Sequence, residues 1–393
     1  MPSQSVSIHY NMSTGQWSVC TMSTEEYQVA VVGGGVIGTC AAYSLVKAGK
    51  KTVLLDQFTV PHAHGSSGGM TRITRTANSG PPQLTPIMDD AFKQWLKISD
   101  IVNQELISFA PMLVVSHELE DIKNMAISVE RTGHTPNWLT PEETNAKYMT
   151  RFPKDSVMFE DTTAGVMRAD MCLSAVRELY RSAGGTLLES WPVKEVETGH
   201  PLITLRGPQG VIRAKGLILC PGPWASNLLM PLGVNLPLST MRTKSFYWKI
   251  KDEFPHSAFV GWGAKHVDYY AMTALGRPGH VKVGLHDGKY VRIDGEEPDL
   301  SLLREQVVAY FTKYFPVLGD KPVDEELCWY TITPDEEFIL DCHPQHNNIV
   351  YAVGFSGTGF KLAPTIGNIL AAKVLGQHHG FDLSPFTSDR FTM

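Results

Sequence analysis

The residues that could do chemistry begin with three glycines. Gly33, Gly35 and Gly38 fall in Gly33-Gly34-Gly35-Val36-Ile37-Gly38, which fits G-x-G-x-x-G, and Asp56 stands at the end of the apolar run Thr52-Val53-Leu54-Leu55. Glycines in this order allow a tight turn, let the backbone approach a pyrophosphate and let a helix pack close to a strand. The N–H groups at the helix start meet the phosphate charge. Asp56 accepts hydrogen bonds from a ribose hydroxyl, and its charge argues against a 2′-phosphate. Behind it comes a loop with Gly65, Ser66, Ser67, Gly68, Gly69 and Thr71, rich in backbone donors and suited to a second pass over a phosphate. Arg72 and Arg75, three apart, are expected to share one face of a helical turn and to hold a carboxylate bidentately. The alternative for this pair is a solvated basic patch.

These groups need elements to position them. Val29-Ala30-Val31-Val32 reads as a buried strand, 39–48 as a helix with Ala41, Ala42, Leu45 and Val46 on one side, Gly49 as its stop, and 52–55 as a second strand. This is a βαβ unit. Further on, the range 84–118 reads as helix then strand, 121–132 as helix, and Thr140-Pro141 as a helix start. A helix is expected over 171–183, a strand at 186–188, a hairpin region over 193–205 and a strand at 212–219 entering the turn Cys220-Pro221-Gly222-Pro223-Trp224. Strands at 241–250, 268–274 and 280–286, a helix over 302–315, a strand at 348–354, a Gly-rich turn at 355–361 and a helix over 363–375 complete the reading.

The chain has 393 residues, 43% hydrophobic and 19% charged, with a formal net charge of −6. That profile suits a soluble enzyme with a sizeable core and gives no reason to expect a nucleic-acid partner. No apolar run reaches the length of a membrane span. The six cysteines show no C-x-x-C spacing, so neither a metal site nor a disulfide framework is expected, and Cys40 and Cys220 read as small core residues. The polar stretch 1–25 reads as a flexible tail rather than a secretory signal. Arg390-Phe391-Thr392-Met393 is not an S-K-L-type peroxisomal address, and a cytoplasmic protein is expected.

From about Tyr27 to Phe391 the chain resembles the D-amino-acid-oxidase superfamily of flavoproteins, within it the monomeric sarcosine oxidase and peroxisomal sarcosine/pipecolate oxidase branch. The match is strongest at the fingerprint, at His64-Gly65-Ser66-Ser67-Gly68-Gly69-Met70-Thr71-Arg72-Ile73-Thr74-Arg75, at Lys282 to His286 and at Cys328 to Lys361. The resemblance implies an α/β fold of two interleaved parts. A Rossmann-type FAD-binding domain is expected over 26–90, 160–228 and 330–393, and a substrate domain on an antiparallel or mixed sheet over 91–159 and 229–329. It implies FAD held by the fingerprint, Asp56, Gln57, Ser66, Ser67, Thr71, Arg72, Val193, Gly222, Trp224, Gly357, Gly359 and Phe360, and joined covalently through a thioether to Cys328. Lys282 matches the lysine that faces the flavin and activates oxygen, and His286 an active-site histidine. Arg75 and Lys361 match the pair binding the substrate carboxylate, and Tyr270 and Tyr330 match pocket tyrosines. The expected activity is oxidation of a secondary or N-methyl amino acid to an imine, with O2 reduced to H2O2, by a monomer. The family's compartment also allows a peroxisomal location.

The residues leave bland alternatives open. Cys328 could be a buried inert thiol, Lys282 an outward lysine on an edge strand and His286 a structural histidine. Lys361 could sit near a flavin carbonyl or be a solvated lysine at a helix start. Three positions depart from the family pattern. Gly68 and Thr358 stand where the family has histidines, and Thr76-Ala77-Asn78 follows Arg75 where it has a pocket tyrosine. A reshaped pocket is therefore expected. It motivates a rival reading, a specialised oxidase or dehydrogenase of a cyclic imino acid or other amine; a second rival, an FAD-binding protein without turnover, is opposed by the retained lysines and cysteine.

Overall fold

The computed structural model describes residues 4–11, 16–199, 201–251, 254–262 and 268–391. Its first sheet is built on the strand Gln16–Val32, which runs parallel to Thr52–Leu55 on one side and to Gly210–Leu219 on the other; His346–Val353 adds parallel to 217–219, and Thr186–Leu188 forms the far edge. Parallel strands are covered on both faces, and here the period of two divides each of them. Val29, Val31, Leu54, Ile218 and Val350 face one core; Ala30, Val32, Val53, Leu55, Leu217, Leu219 and Tyr351 face the other.

Helices Val36–Lys47, Leu84–Val102, Ala169–Ser182 and Gly359–Val374 share the first of these cores. The first and last pack closely because Gly367 has no side chain. A Cβ there would lie 2.6 Å from the Cys40 carbonyl carbon and 2.7 Å from Ala41 N. This contact holds Gly359, Phe360 and Lys361, on the first turn of the last helix, beside the glycine fingerprint.

The second sheet is nine-stranded and mostly antiparallel. Ser239–Lys249 is its spine, flanked by Asp324–Ile332 on one side and His280–Leu285 on the other; Asp268–Thr273, Ala258–Trp262, Met112–Ser116, Val157–Asp161 and Asn137–Leu139 follow in turn. Alternation again sets the faces. Phe246, Trp248, Ala271, Val281, Val283 and Leu285 pack with the helix Ser301–Tyr314 through Leu303, Val307 and Phe311. The opposite face carries Ser245, Tyr247, Tyr270, Met272, Lys282 and Gly284. The lone lysine of an apolar strand thus points away from the helix-covered core.

A three-stranded sheet, Thr71–Thr74 with Gly165–Arg168 and Ile107–Phe109, lies at the junction of the two larger ones. This corrects the expected helical turn at Arg72 and Arg75. The segment is extended, because Thr71, Ile73 and Thr74 favour a strand that pairs with 165–168. Part of the expected tail 1–25 is also ordered differently: Gln4–Asn11 pairs antiparallel with the first residues of Gln16–Val32. Residues 1–3 and 12–15 of that tail, and 392–393 of the C-terminal tetrapeptide, lie outside the described residues. The helices after the two glycine turns begin at Val36 and Gly359, earlier than expected, since the turns deliver the chain straight into helical geometry. The boundary expected at 90/91 falls inside Leu84–Val102, whose Trp95 and Ile98 pack in the first core, and that at 329/330 falls inside Asp324–Ile332. The sequence pattern gives the helix from 84 but assigns no strand at 324–332, and which core each element joins is a tertiary matter. No helix among the described residues is long and apolar enough to cross a membrane.

Gly367→Ala is expected to destabilise the protein by about 1–3 kcal/mol, the usual cost of overpacking a dense contact, measured by urea unfolding.

Candidate active site

Gly33 ends the Gln16–Val32 strand with φ +105°, and a Cβ on it would lie 2.2 Å from Cys220 O, so the turn needs glycine. Gly38 packs against this turn from the helix and does not line the cavity; its place is helix-to-strand packing. Val36 N–H donates to Ser67 Oγ at 3.0 Å, which draws the 65–69 loop over the helix start. Asp56 is buried, and its carboxylate accepts from Gly34 N at 3.0 Å and Phe58 N at 2.9 Å, with His62 Nε2 at 3.2 Å. These donors hold it at the end of its strand, where it lines the cavity.

That cavity is about 1610 Å³ and runs between the two large sheets. It exceeds the usual volume of a small-molecule pocket and suits an extended ligand. Gly33, Gly35, Val36, Ile37, Asp56 and Gln57 line it, as do Ser66, Ser67, Thr71 and Arg72 of the loop. Val193, Gly222 and Trp224 line it too, with Gly357, Gly359 and Phe360 from the last glycine turn. Thr71 Oγ1 and Arg177 Nε are among the buried polar atoms of its lining residues that have no partner among the described residues. A cradle without Cβ atoms, a ribose-type acid and orphaned donors fit a dinucleotide. Arg177 escaped the sequence reading: it lies beside Val176 and Tyr180 on the buried face of its helix, and an arginine on an apolar stripe was the available signal.

Arg72 turns its guanidinium back onto the loop. It donates to Thr71 O at 2.8 Å, Ser66 O at 3.2 Å and Gly68 O, and lies 5.5 Å over the Phe360 ring. Arg75, beyond the strand end, enters the cavity differently: its Nη1 is buried and without a partner among the described residues. Lys361 Nζ donates to Thr358 O at 3.3 Å, its one hydrogen bond among the described residues. Burial pulls Lys361 down to about 7, with Arg75 adding to the fall and Glu337 opposing it. Glu337, also in the cavity wall, is pushed up to about 7 by burial and by Asp335. Asp268 is held above its ordinary range by burial, against the pull of His286 and Arg75. Two cations short of hydrogen-bond acceptors make this end of the cavity a site for an anion that the ligand must bring.

The sheet face supplies the rest. Lys282 is 2% exposed and its Nζ donates to Glu326 Oε2 at 2.7 Å. Tyr270 OH donates to Ser245 Oγ at 3.3 Å, and Ser245 Oγ lies 3.7 Å from Cys328 Sγ. His286 and Tyr330 lie with ring centroids 5.1 Å apart. All six of these side chains other than Glu326 line the cavity. The three departures lie there as well. Ala63 fills the space beside Gly68, the Thr358 hydroxyl donates to Phe355 O at 2.8 Å, and Asn78 Nδ2 donates to Thr76 O at 2.9 Å.

A family model described as "DAO: FAD dependent oxidoreductase" matches residues 28–373. The chain belongs to this family. It is 33% identical to the peroxisomal sarcosine oxidase of Mus musculus over 94% of this chain and 97% of that one. It is 29% identical to the monomeric sarcosine oxidase of Arthrobacter sp. over 93% and 97%, and 28% identical to N-methyl-L-tryptophan oxidases of Escherichia coli over 93% and 100%. Among solved structures it superposes on NikD, an amino acid oxidase of nikkomycin biosynthesis, with TM-score 0.83 and 20% identity over 93% of this chain and 98% of that one. It superposes on L-proline dehydrogenase from P. horikoshii with TM-score 0.82 and 20% identity over 94% and 98%. These two likenesses show the fold. The protein is thus an FAD-dependent oxidoreductase of the DAO family with an α/β fold built on two large sheets and a small one.

A carboxylate ligand of this flavoprotein should bind best below pH 7, where Lys361 is an ammonium and Glu337 is neutral. As pH rises through about 7 the amine loses its charge and the acid gains one, and both oppose an anion. Calorimetric titration with acetate is expected to show affinity falling above pH 7, by up to about tenfold per pH unit for each of the two groups. Lys361→Met should weaken binding below pH 7 and flatten the profile.

Proposed function

We infer that the protein oxidises a secondary or N-methyl amino acid to an imine, with O2 as the electron acceptor. The observation that carries this reading is the pair Arg75 and Lys361, under-partnered cations in the same cavity as the dinucleotide cradle. The names of the sarcosine and N-methyltryptophan oxidases to which the chain is similar support it. When bound by the glycine turns and Asp56, FAD would supply a two-electron acceptor for the C–H bond beside the amine nitrogen. The substrate loses two electrons and two protons; O2 takes them to give H2O2, and water hydrolyses the released imine.

The chain's own residues do the rest. Arg75 offers a fork and Lys361 a point charge to the substrate carboxylate, which orients the amine end of the molecule. Tyr270, Tyr330 and His286 bound the pocket on the sheet face. Lys282 keeps an ammonium where O2 acquires negative charge, an electrostatic role that needs no proton transfer. Cys328 is the attachment point for the flavin. Its sulfur lies in the cavity wall and Ser245 is within hydrogen-bonding distance of the thiol. Gly68, Asn78 and Thr358 reshape the substrate end relative to the sarcosine oxidase pattern, which argues for a substrate other than sarcosine itself. The working unit is a single chain.

Anaerobic mixing with sarcosine, N-methyl amino acids, proline, pipecolate and primary amino acids tests the reaction class. Loss of flavin absorbance with a secondary amine is expected, and bleaching by none of the panel would refute the reading. With the active substrate, Lys282→Met should slow reoxidation by O2 far more than reduction. Cys328→Ser should release the flavin on acid precipitation, whereas retention in the pellet would place the link elsewhere.

A further inference from the structure

Lys282 and Glu326 sit on strands that do not touch. Between His280–Leu285 and Asp324–Ile332 runs Ser239–Lys249, where Tyr247 pairs with Lys282 and Ser245 pairs with both Gly284 and Glu326. Two strand spacings, roughly 10 Å, therefore separate the backbones. The two long side chains meet over the intervening strand beside Tyr247, while the Tyr270 phenol covers Gly284 and donates to Ser245 Oγ at 3.3 Å. Glu326 Oε2 takes a hydrogen bond from Lys282 Nζ at 2.7 Å and another from Tyr247 OH at 2.7 Å. Its other oxygen lies under the glycine loop. Gly69 has φ +86°, and a Cβ there would come 2.2 Å from Glu326 Oε1 and 3.2 Å from Arg72 Nη1.

The carboxylate thus bonds a lysine and a phenol, lies against the Gly69 turn and feels the charge of Arg72, while its side chain keeps 23% exposure. Burial pulls the Lys282 ammonium below its ordinary range and Arg72 pushes the same way; Cys328 and Glu326 oppose them. Burial alone raises the Glu326 carboxyl, but Lys282, Tyr247 and Arg72 outweigh it and leave the group below its ordinary value. Arg277, 4.2 Å over the Tyr247 ring, is bound to Asp324 and completes the charged surroundings.

We propose that Glu326 is the positioning residue of Lys282: its carboxylate, held by Tyr247 and capped by the Gly69 turn, fixes the ammonium at the cavity wall and keeps it charged. The inference rests on the role given to Lys282 above. A lysine with no counterion at 2% exposure sheds its proton rather than remain a buried cation, and a neutral amine offers O2 no field. Gly69 is required because any side chain there displaces the carboxylate.

The test is a pH titration of Lys282 by NMR in the flavin-containing protein carrying 13Cε-labelled lysine, its signal identified by loss in Lys282→Met. In Glu326→Gln the titration midpoint is expected to fall by at least about one pH unit, corresponding to a tenfold shift in the protonation equilibrium. The midpoint of the reoxidation rate should fall with it, so that at high pH reoxidation slows about tenfold more than substrate reduction. An unchanged Lys282 midpoint overturns the proposal. A lowered midpoint with unchanged reoxidation keeps Glu326 as the partner of Lys282 and refutes instead the oxygen role of the lysine. Glu326→Asp retains a carboxylate with shorter reach and should give an intermediate midpoint. Should the Gln variant fail to fold, the Asp variant is read alone: a midpoint below wild type supports the proposal and an unchanged one overturns it.

Discussion

The first large sheet must be dry on both faces, whereas the second must keep one face dry and let the other border a cavity of dinucleotide size. The rest of the structure follows from that constraint. In the first sheet both faces are packed, and the opening is made only at the strand ends, where Gly33 and Asp56 stand. In the second, the helix Ser301–Tyr314 takes one face and the cavity takes the other. Strand alternation turns this into chemistry: in Val281-Lys282-Val283-Gly284-Leu285 the apolar residues serve the core and the remaining two serve the site. A one-residue slip in register would exchange them.

Charge in the cavity is arranged in two unlike ways. Lys282 is buried and paired with a carboxylate oxygen that also accepts from Tyr247. Arg75 and Lys361 are left short of acceptors, beside acids that burial holds toward their neutral forms. A satisfied cation keeps its charge without a ligand, whereas an unsatisfied one gains most when an anion arrives. The first arrangement suits a permanent field and the second suits recognition.

The glycine turns link the parts. The turn at 33–38 starts one helix, the turn at 354–359 starts another, and Gly367 lets those helices touch through Cys40 and Ala41. The loop at 65–69 is tied to the first turn by Ser67 and to Arg72 by backbone carbonyls, and it closes over Glu326. A change in any of these small residues is transmitted to both cofactor cradle and substrate end.

The sequence by itself determined the βαβ fingerprint, the strand and helix types and the family resemblance, because each rests on short-range pattern: glycine spacing, period-two and helical apolar runs, and an acid at a strand end. The glycines, Asp56 and the 65–72 loop that line the cavity were legible for the same reason, whereas Val193, Tyr270 and Tyr330 came only through the resemblance. Tertiary structure alone decided that Arg72 and Arg75 follow a strand, since pairing with Gly165–Arg168 overrides the local spacing. It alone gave Leu84–Val102 to the cofactor core and paired residues 4–11 with the start of the long strand. Arg177 and Glu326 were invisible for a different reason. Neither lies in a motif, and each acquires its role only when elements far apart in the chain bring a glycine turn or a buried lysine to it.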